Sequence, residues 1–182
     1  MGKRLGRGRG DDGAALIEFA LLLPLLVCIL LGIFTGGQTY SQKLAMTNGV
    51  REGSRFGATL AVTSSSCTSG SGTLNCWLSQ VADVSQSASE GDMASSVPGF
   101  QLCVAYVYPN GTSSSDITTK LVRTSTGDTV VANGTCFTDG RPNNERRVQV
   151  LGTRTGSIEY FFGTATPTMT SQSVTKFEAA TG

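Results

Sequence analysis

The chain has 182 residues, a net charge of +1 and 15% charged residues. That is enough for one modest domain with a membrane segment, and too balanced in charge to point to nucleic acid as a partner. It contains no histidine, which removes the commonest general base, the commonest zinc ligand and the usual Ser/His and Cys/His nucleophile pairs.

From Ala14 to Phe34 the chain reads AALIEFALLLPLLVCILLGIF, 21 residues with a single ionisable side chain, Glu18. About 20 apolar residues in a helix cross the ~30 Å hydrocarbon core of a bilayer. The run is longer than the apolar region of a cleavable secretory signal, and no Ala-x-Ala-like site follows it. It is therefore expected to remain as an anchor, with a transmembrane span at 14–36. Lys3, Arg4, Arg7 and Arg9 precede the run, and the next positive charge is Lys43. The positive-inside rule puts such an N-terminus in the cytoplasm. The expected location is a bacterial cytoplasmic membrane, crossed once, with the C-terminal domain outside.

Cysteine placement agrees with that topology. Cys28 lies within the span, whereas Cys67, Cys76, Cys103 and Cys136 follow it. An even set in a Ser/Thr-rich segment reads as two disulfides in an oxidising compartment. Three pairings are possible; Cys67–Cys76 with Cys103–Cys136 joins sequence neighbours and is preferred.

The head of the apolar run is distinctive. Gly13 closes a basic leader, and five residues later comes Glu18, followed by Phe19, in a helix that carries Pro24. This stretch, DDGAALIEFALLLPLL, resembles the class III signal peptide of type IV pilins and pseudopilins. It is especially similar to TadE-like proteins, pseudopilins of the tight-adherence (Flp) pilus system. The later run MTNGVREGSRFGA, with Arg51, Glu52, Gly53 and Arg55, is similar to the continuation of the helix in that family, so the resemblance covers residues 10–61. It implies that a prepilin peptidase cuts between Gly13 and Ala14, removing 1–13, the cytoplasmic leader, and leaving Glu18 as the fifth residue of the mature chain. The implied partners are the membrane, the peptidase, other pilin or pseudopilin subunits and the pilus assembly machinery. The freed α-amino group of Ala14 is positive at neutral pH. Paired with Glu18 of a neighbouring subunit in lipid, it would fix the axial register of packed helices.

Past the span, Thr39 to Ala61 lacks proline and keeps a helical pattern. Ala45, Gly49, Gly53, Gly57 and Ala61 recur every four residues, which lets another backbone approach closely. Each helical glycine costs up to ~1 kcal/mol against alanine, so three in register require a packing reason. Contact with the chain's own sheet is the preferred reason, and contact with helices of other subunits is the alternative. Arg51, Glu52 and Arg55 fall on other faces and read as solvated. A continuous helix over 14–61 would be about 70 Å long, with a kink expected at Pro24.

Residues 62–182 form the expected extracytoplasmic, β-rich domain. Residues 62–75 are a loop by composition, and Trp77–Ser87 is a short amphipathic helix with Leu78, Val81 and Val84 on one side. Gln101–Tyr108 alternates as a strand, with Leu102, Val104, Tyr106 and Tyr108 on one face and Cys103, Ala105 and Val107 on the other, and Pro109-Asn110-Gly111 is a turn signal. Further strands are expected at 120–123, 130–132, 147–154 and 171–177, while 157–162 fits either a helical turn or a strand. The fold class is α+β: a long N-terminal helix packed on a small antiparallel sheet, pilin-like.

No catalytic, cofactor or metal site is expected. Asp83, Glu90, Asp92, Asp116, Asp128 and Asp139 are scattered among turn residues. Glu90 and Asp92 flank Gly91 without the spaced oxygen ligands that calcium requires. Asn110-Gly-Thr and Asn133-Gly-Thr match the glycosylation acceptor pattern but read as β-turns. The function expected is that of a non-enzymatic minor pilin; the alternative is an uncleaved, membrane-anchored adhesin or binding module.

Overall fold

The computed structural model describes residues 11–62, 73–108, 117–141, 145–160 and 163–177. The leader up to residue 10, Cys67, Asp116 and the Pro109-Asn110-Gly111 turn lie outside them. Helix α1 runs unbroken from Asp11 to Thr59 through Pro24, and at 1.5 Å per residue it is about 74 Å long. Its two halves have different chemistry. From Gly13 to Phe34 every residue is exposed, as befits a helix that is apolar on all sides and has no protein around it. From Met46 onward the buried positions are 46, 49, 50, 53, 54, 57 and 58, the spacing of one helical stripe turned to a core.

Helix α1 ends two residues short of the expected boundary, which leaves Ala61 outside it and exposed. Leu60 N–H makes a last bond to the Phe56 carbonyl, and the Leu60 carbonyl accepts the indole N–H of Trp77 at 3.1 Å. A side chain thus satisfies one of the carbonyls that a helix end leaves open. Helix α2, Thr73–Ser87, begins earlier than expected: Thr73, Leu74 and Asn75 belong to the helix, not to the preceding loop. Leu78 and Val81 are fully buried and Val84 is half-buried.

Five strands follow in one antiparallel sheet: β1 (Gln101–Tyr108), β2 (Ile117–Thr124), β3 (Gly127–Ala132), β4 (Arg147–Thr155) and, after a small hairpin, β7 (Thr168–Lys176). Their order is β3-β2-β1-β4-β7. The hairpin comprises β5 (Ile158–Tyr160) and β6 (Gly163–Ala165), which resolves residues 158–160 as strand. The fold is the expected α+β plan, a long helix against an antiparallel sheet. The sheet does not meet that helix alone, because α2 packs on both.

The core joins Met46, Val50 and Ala58 of α1 to Trp77, Leu78 and Val81 of α2 and to Leu102, Val104, Val148 and Val150 of the sheet. Trp77 also packs against Tyr106 and Phe177, with ring centroids 5.3 and 6.0 Å away. The alternation expected in β1 is present: Leu102 and Val104 face the helices, while Cys103, Ala105 and Val107 are buried on the opposite face. The outer face is covered by the segment after β3. A Cys103–Cys136 disulfide ties that segment to β1, and Gln149 of β4 grips its backbone through Cys136 N–H and the Phe137 carbonyl, both at 3.1 Å.

Candidate functional site

The head of α1 carries no fold-level explanation for its residues. Gly13 and Ala14 are exposed in the opening turns, and among the described residues a methyl group built on Gly13 would touch nothing within 4 Å. Glu18 projects from the bare half of the helix, without a hydrogen-bond or ion-pair partner among the described residues. Phe19 beside it is 62% exposed. Ala14 and Glu18 are four residues apart, so they share one face, a turn from each other. The whole segment that follows, Leu16 to Phe34, presents large apolar side chains outward. The helix containing it is long and apolar enough to cross a membrane.

The glycines farther along α1 are used differently. Added methyl groups on Gly49 and Gly53 would run into Ser85 of α2, and one on Gly57 would meet Val81 at 2.9 Å and Trp77 and Val148 at 3.1 Å. The close approach expected for this face is therefore made mainly by α2 of the same chain, with the sheet entering only at Gly57. Ala45 is half-buried at the lower margin of this contact, and Ala61 lies beyond the helix. Arg51, Glu52 and Arg55 are exposed, as their positions suggested. Against the edge strand, α1 uses hydroxyls: Thr47 pairs with Ser171 at 3.1 Å, and Ser54 with Ser173 at 2.8 Å.

The acidic residues that looked scattered are mostly in arginine pairs. Asp83 and Asp128 both reach Arg123, at 2.5 and 2.8 Å, and Asp92 pairs with Arg154. The Asp128 hydrogen bond does most to raise the Arg123 pKa above its ordinary value; burial opposes this, and Asp83 adds to the rise. Asp139 accepts from Arg147 at 2.6 Å, from Gln149 at 2.9 Å and from the Arg141 N–H at 3.1 Å. Burial pushes the Asp139 carboxyl up, but those hydrogen bonds and the Arg147 charge outweigh it and hold the group below its usual range. These pairings missed a sequence reading because their partners are 5 to 62 residues apart. The one available signal was Gln149, a polar residue in the middle of an apolar strand. The Asp92 and Asp139 pairs staple loops to β4, and Arg123 of β2 ties α2 to β3. Among the described residues no group of three or more potential ligands could hold a metal ion.

An exposed apolar helix rising into a compact α+β domain defines a membrane-anchored protein. The family model described as "TadE-like protein" matches residues 13–55, and so bears out the resemblance carried by the Gly13–Glu18–Phe19 head and the Arg51–Arg55 run. The matched segment includes the bare half of α1 and most of its glycine face. No curated protein and no solved structure matches the chain.

Proposed function

We propose that this chain is a non-enzymatic minor pilin, or pseudopilin, of a tight-adherence type IV pilus, cut by a prepilin peptidase between Gly13 and Ala14. The N-terminus would lie in the cytoplasm and the domain beyond α1 outside, as the basic leader and the disulfides favour. The mature helix would pack laterally with other subunits in the membrane, and the Ala14 amine and Glu18 would set their register. The observation that carries this reading is the coincidence of Gly13, Glu18 and Phe19 at the head of a wholly exposed apolar helix, inside the segment matched by the TadE-like family. Two further features support it. Among the described residues Gly13 has no packing contact, and Glu18, costly in lipid, has no partner. With α2 seated on Gly49, Gly53 and Gly57, that glycine face is taken by the chain itself, and the wholly exposed apolar half of α1 is the surface offered to other subunits.

Intact mass and N-terminal sequencing of the protein from its native membrane test the proposal. A chain beginning at Ala14 agrees with it. A chain that retains Gly2 to Gly13 would leave an anchored surface protein and refute the processing step.

A further inference from the structure

The β4–β7 pair does not stop at the sheet. Thr155 pairs with Thr168, Gly156 N–H bonds the Pro167 carbonyl at 2.9 Å, and Ile158 pairs with Ala165. One antiparallel register therefore runs through both strand pairs. This ribbon descends along α1 towards its apolar half: Ser173 meets Ser54, Ser171 meets Thr47, and the Thr170 carbonyl accepts from Lys43. Five residues farther down, at about 3.3 Å each, β6 has dropped roughly 16 Å, or about 11 residues of helix. That brings it alongside the stretch of α1 from Gly32 to Gly36. Ile158 accordingly shares an apolar groove with Gly32, Gly36, Tyr40 and Met169.

Bilayer dimensions give this level a meaning. The 21 residues from Ala14 to Phe34 measure about 32 Å as helix, matching the ~30 Å hydrocarbon core and placing its outer boundary near Phe34. The headgroup layer adds about 5–8 Å on each side, so Gly36 to Thr39 lie within it and Tyr40 at its outer edge. Thr35 and Thr39 donate to carbonyls of their own helix, at 2.8 and 2.9 Å, and need no water. Tyr40 is 66% exposed, and tyrosine is a residue favoured at membrane interfaces.

We propose that the β5–β6 hairpin is a second membrane contact, seated in the lipid headgroup layer beside α1, with lipid filling the groove between Ile158, Met169 and the helix. It would hold the outer domain at a fixed depth and tilt, which a single helix cannot do. This inference rests on the membrane-anchored reading.

Spin-label depth measurements on the full chain in lipid nanodiscs separate the two. In a Cys28→Ser background, nitroxides are placed by Leu26→Cys, Ile158→Cys and Val131→Cys, and their collision rates with oxygen and with a water-soluble nickel chelate are compared. Val131 is the aqueous reference, in register across the sheet with Val174 at the membrane-distal end. The expected oxygen-to-nickel ratio at 158 lies severalfold above that at 131 and below that at 26. A value at 158 equal to that at 131, with 26 in lipid, overturns the hairpin contact and leaves the anchor standing. Protection of 158 from both reagents means that a protein chain fills the groove, and it also overturns the proposal. An aqueous value at 26 would remove the membrane reading itself.

Discussion

Gly53 of α1 lies directly beneath Ser85 of α2, so close that a methyl group on the glycine would overlap the serine hydroxyl. The hydroxyl is already committed to the Val81 carbonyl at 2.8 Å, inside a fully buried seam. This pair fixes the distance between the two helices, and with it the position of Trp77 over the end of α1.

Gly53→Ala should therefore destabilise the outer domain by about 1–3 kcal/mol, the usual cost of overpacking a tight core. Adding Ser85→Gly should recover part of the loss. Gly36→Ala is the control, because among the described residues nothing lies within 4 Å of the added methyl. Thermal unfolding of the three variants in detergent checks the order; equal midpoints for Gly53→Ala and Gly36→Ala would refute the seam.

The Cys103–Cys136 bond closes a segment with a sequence separation of 33. By chain entropy such a loop is worth roughly 4 kcal/mol, and measured losses for native disulfides run from about 2 to 5. Changing both cysteines to serine should lower the denaturation midpoint accordingly. Hydrogen exchange should rise first at residues 133–139, since only hydrogen bonds and the Arg147–Asp139 pair would then hold the covering segment.

Most of the fold was legible because its signals are local. The period of α1, the alternation of β1 and the apolar length of the anchor each follow from neighbours a few residues apart. What the glycines touch was not legible: the spacing of Gly49, Gly53 and Gly57 announces a close approach, but a sheet, a second helix or another subunit satisfies it equally. The same holds for the aspartates. Asp83, Asp92, Asp128 and Asp139 read as turn residues until folding brings Arg123, Arg154 and Arg147 to them. At the head of α1 the reverse is true. Gly13, Glu18 and Phe19 stand out in sequence, and the folded chain gives them nothing to hold.

Asp139 should make the domain acid-sensitive. Folding lowers its carboxyl pKa from the ordinary 3.8, so the unfolded chain binds the proton more tightly than the folded one. The stabilisation is complete above that ordinary value and is lost as pH falls through the lower folded value. At neutral pH, Asp139→Asn should cost up to about 3–5 kcal/mol, because the buried Arg147 guanidinium loses the carboxylate that it meets at 2.6 Å. The variant should also lose this part of the acid dependence. Melting curves from neutral pH down to about pH 2 check both points; parallel losses in the two proteins would assign the acid sensitivity elsewhere.

Glu18 separates folding from assembly. Its side chain is exposed and unpaired among the described residues, more than 25 residues before the first core position, Met46. Glu18→Gln should leave the melting midpoint of the outer domain unchanged, because nothing in the core senses that carboxylate. In the membrane the change removes the only acidic charge between Ala14 and Phe34, and with it the partner proposed for a neighbouring Ala14 amine. Pulldown of co-assembled pilin subunits, alongside counts of surface pili, should fall strongly at normal protein levels. Preserved assembly would mean that register is set by side-chain packing alone, and the charge-pair step would have to be abandoned. A shifted melting midpoint would instead reveal a contact between the head of α1 and the outer domain.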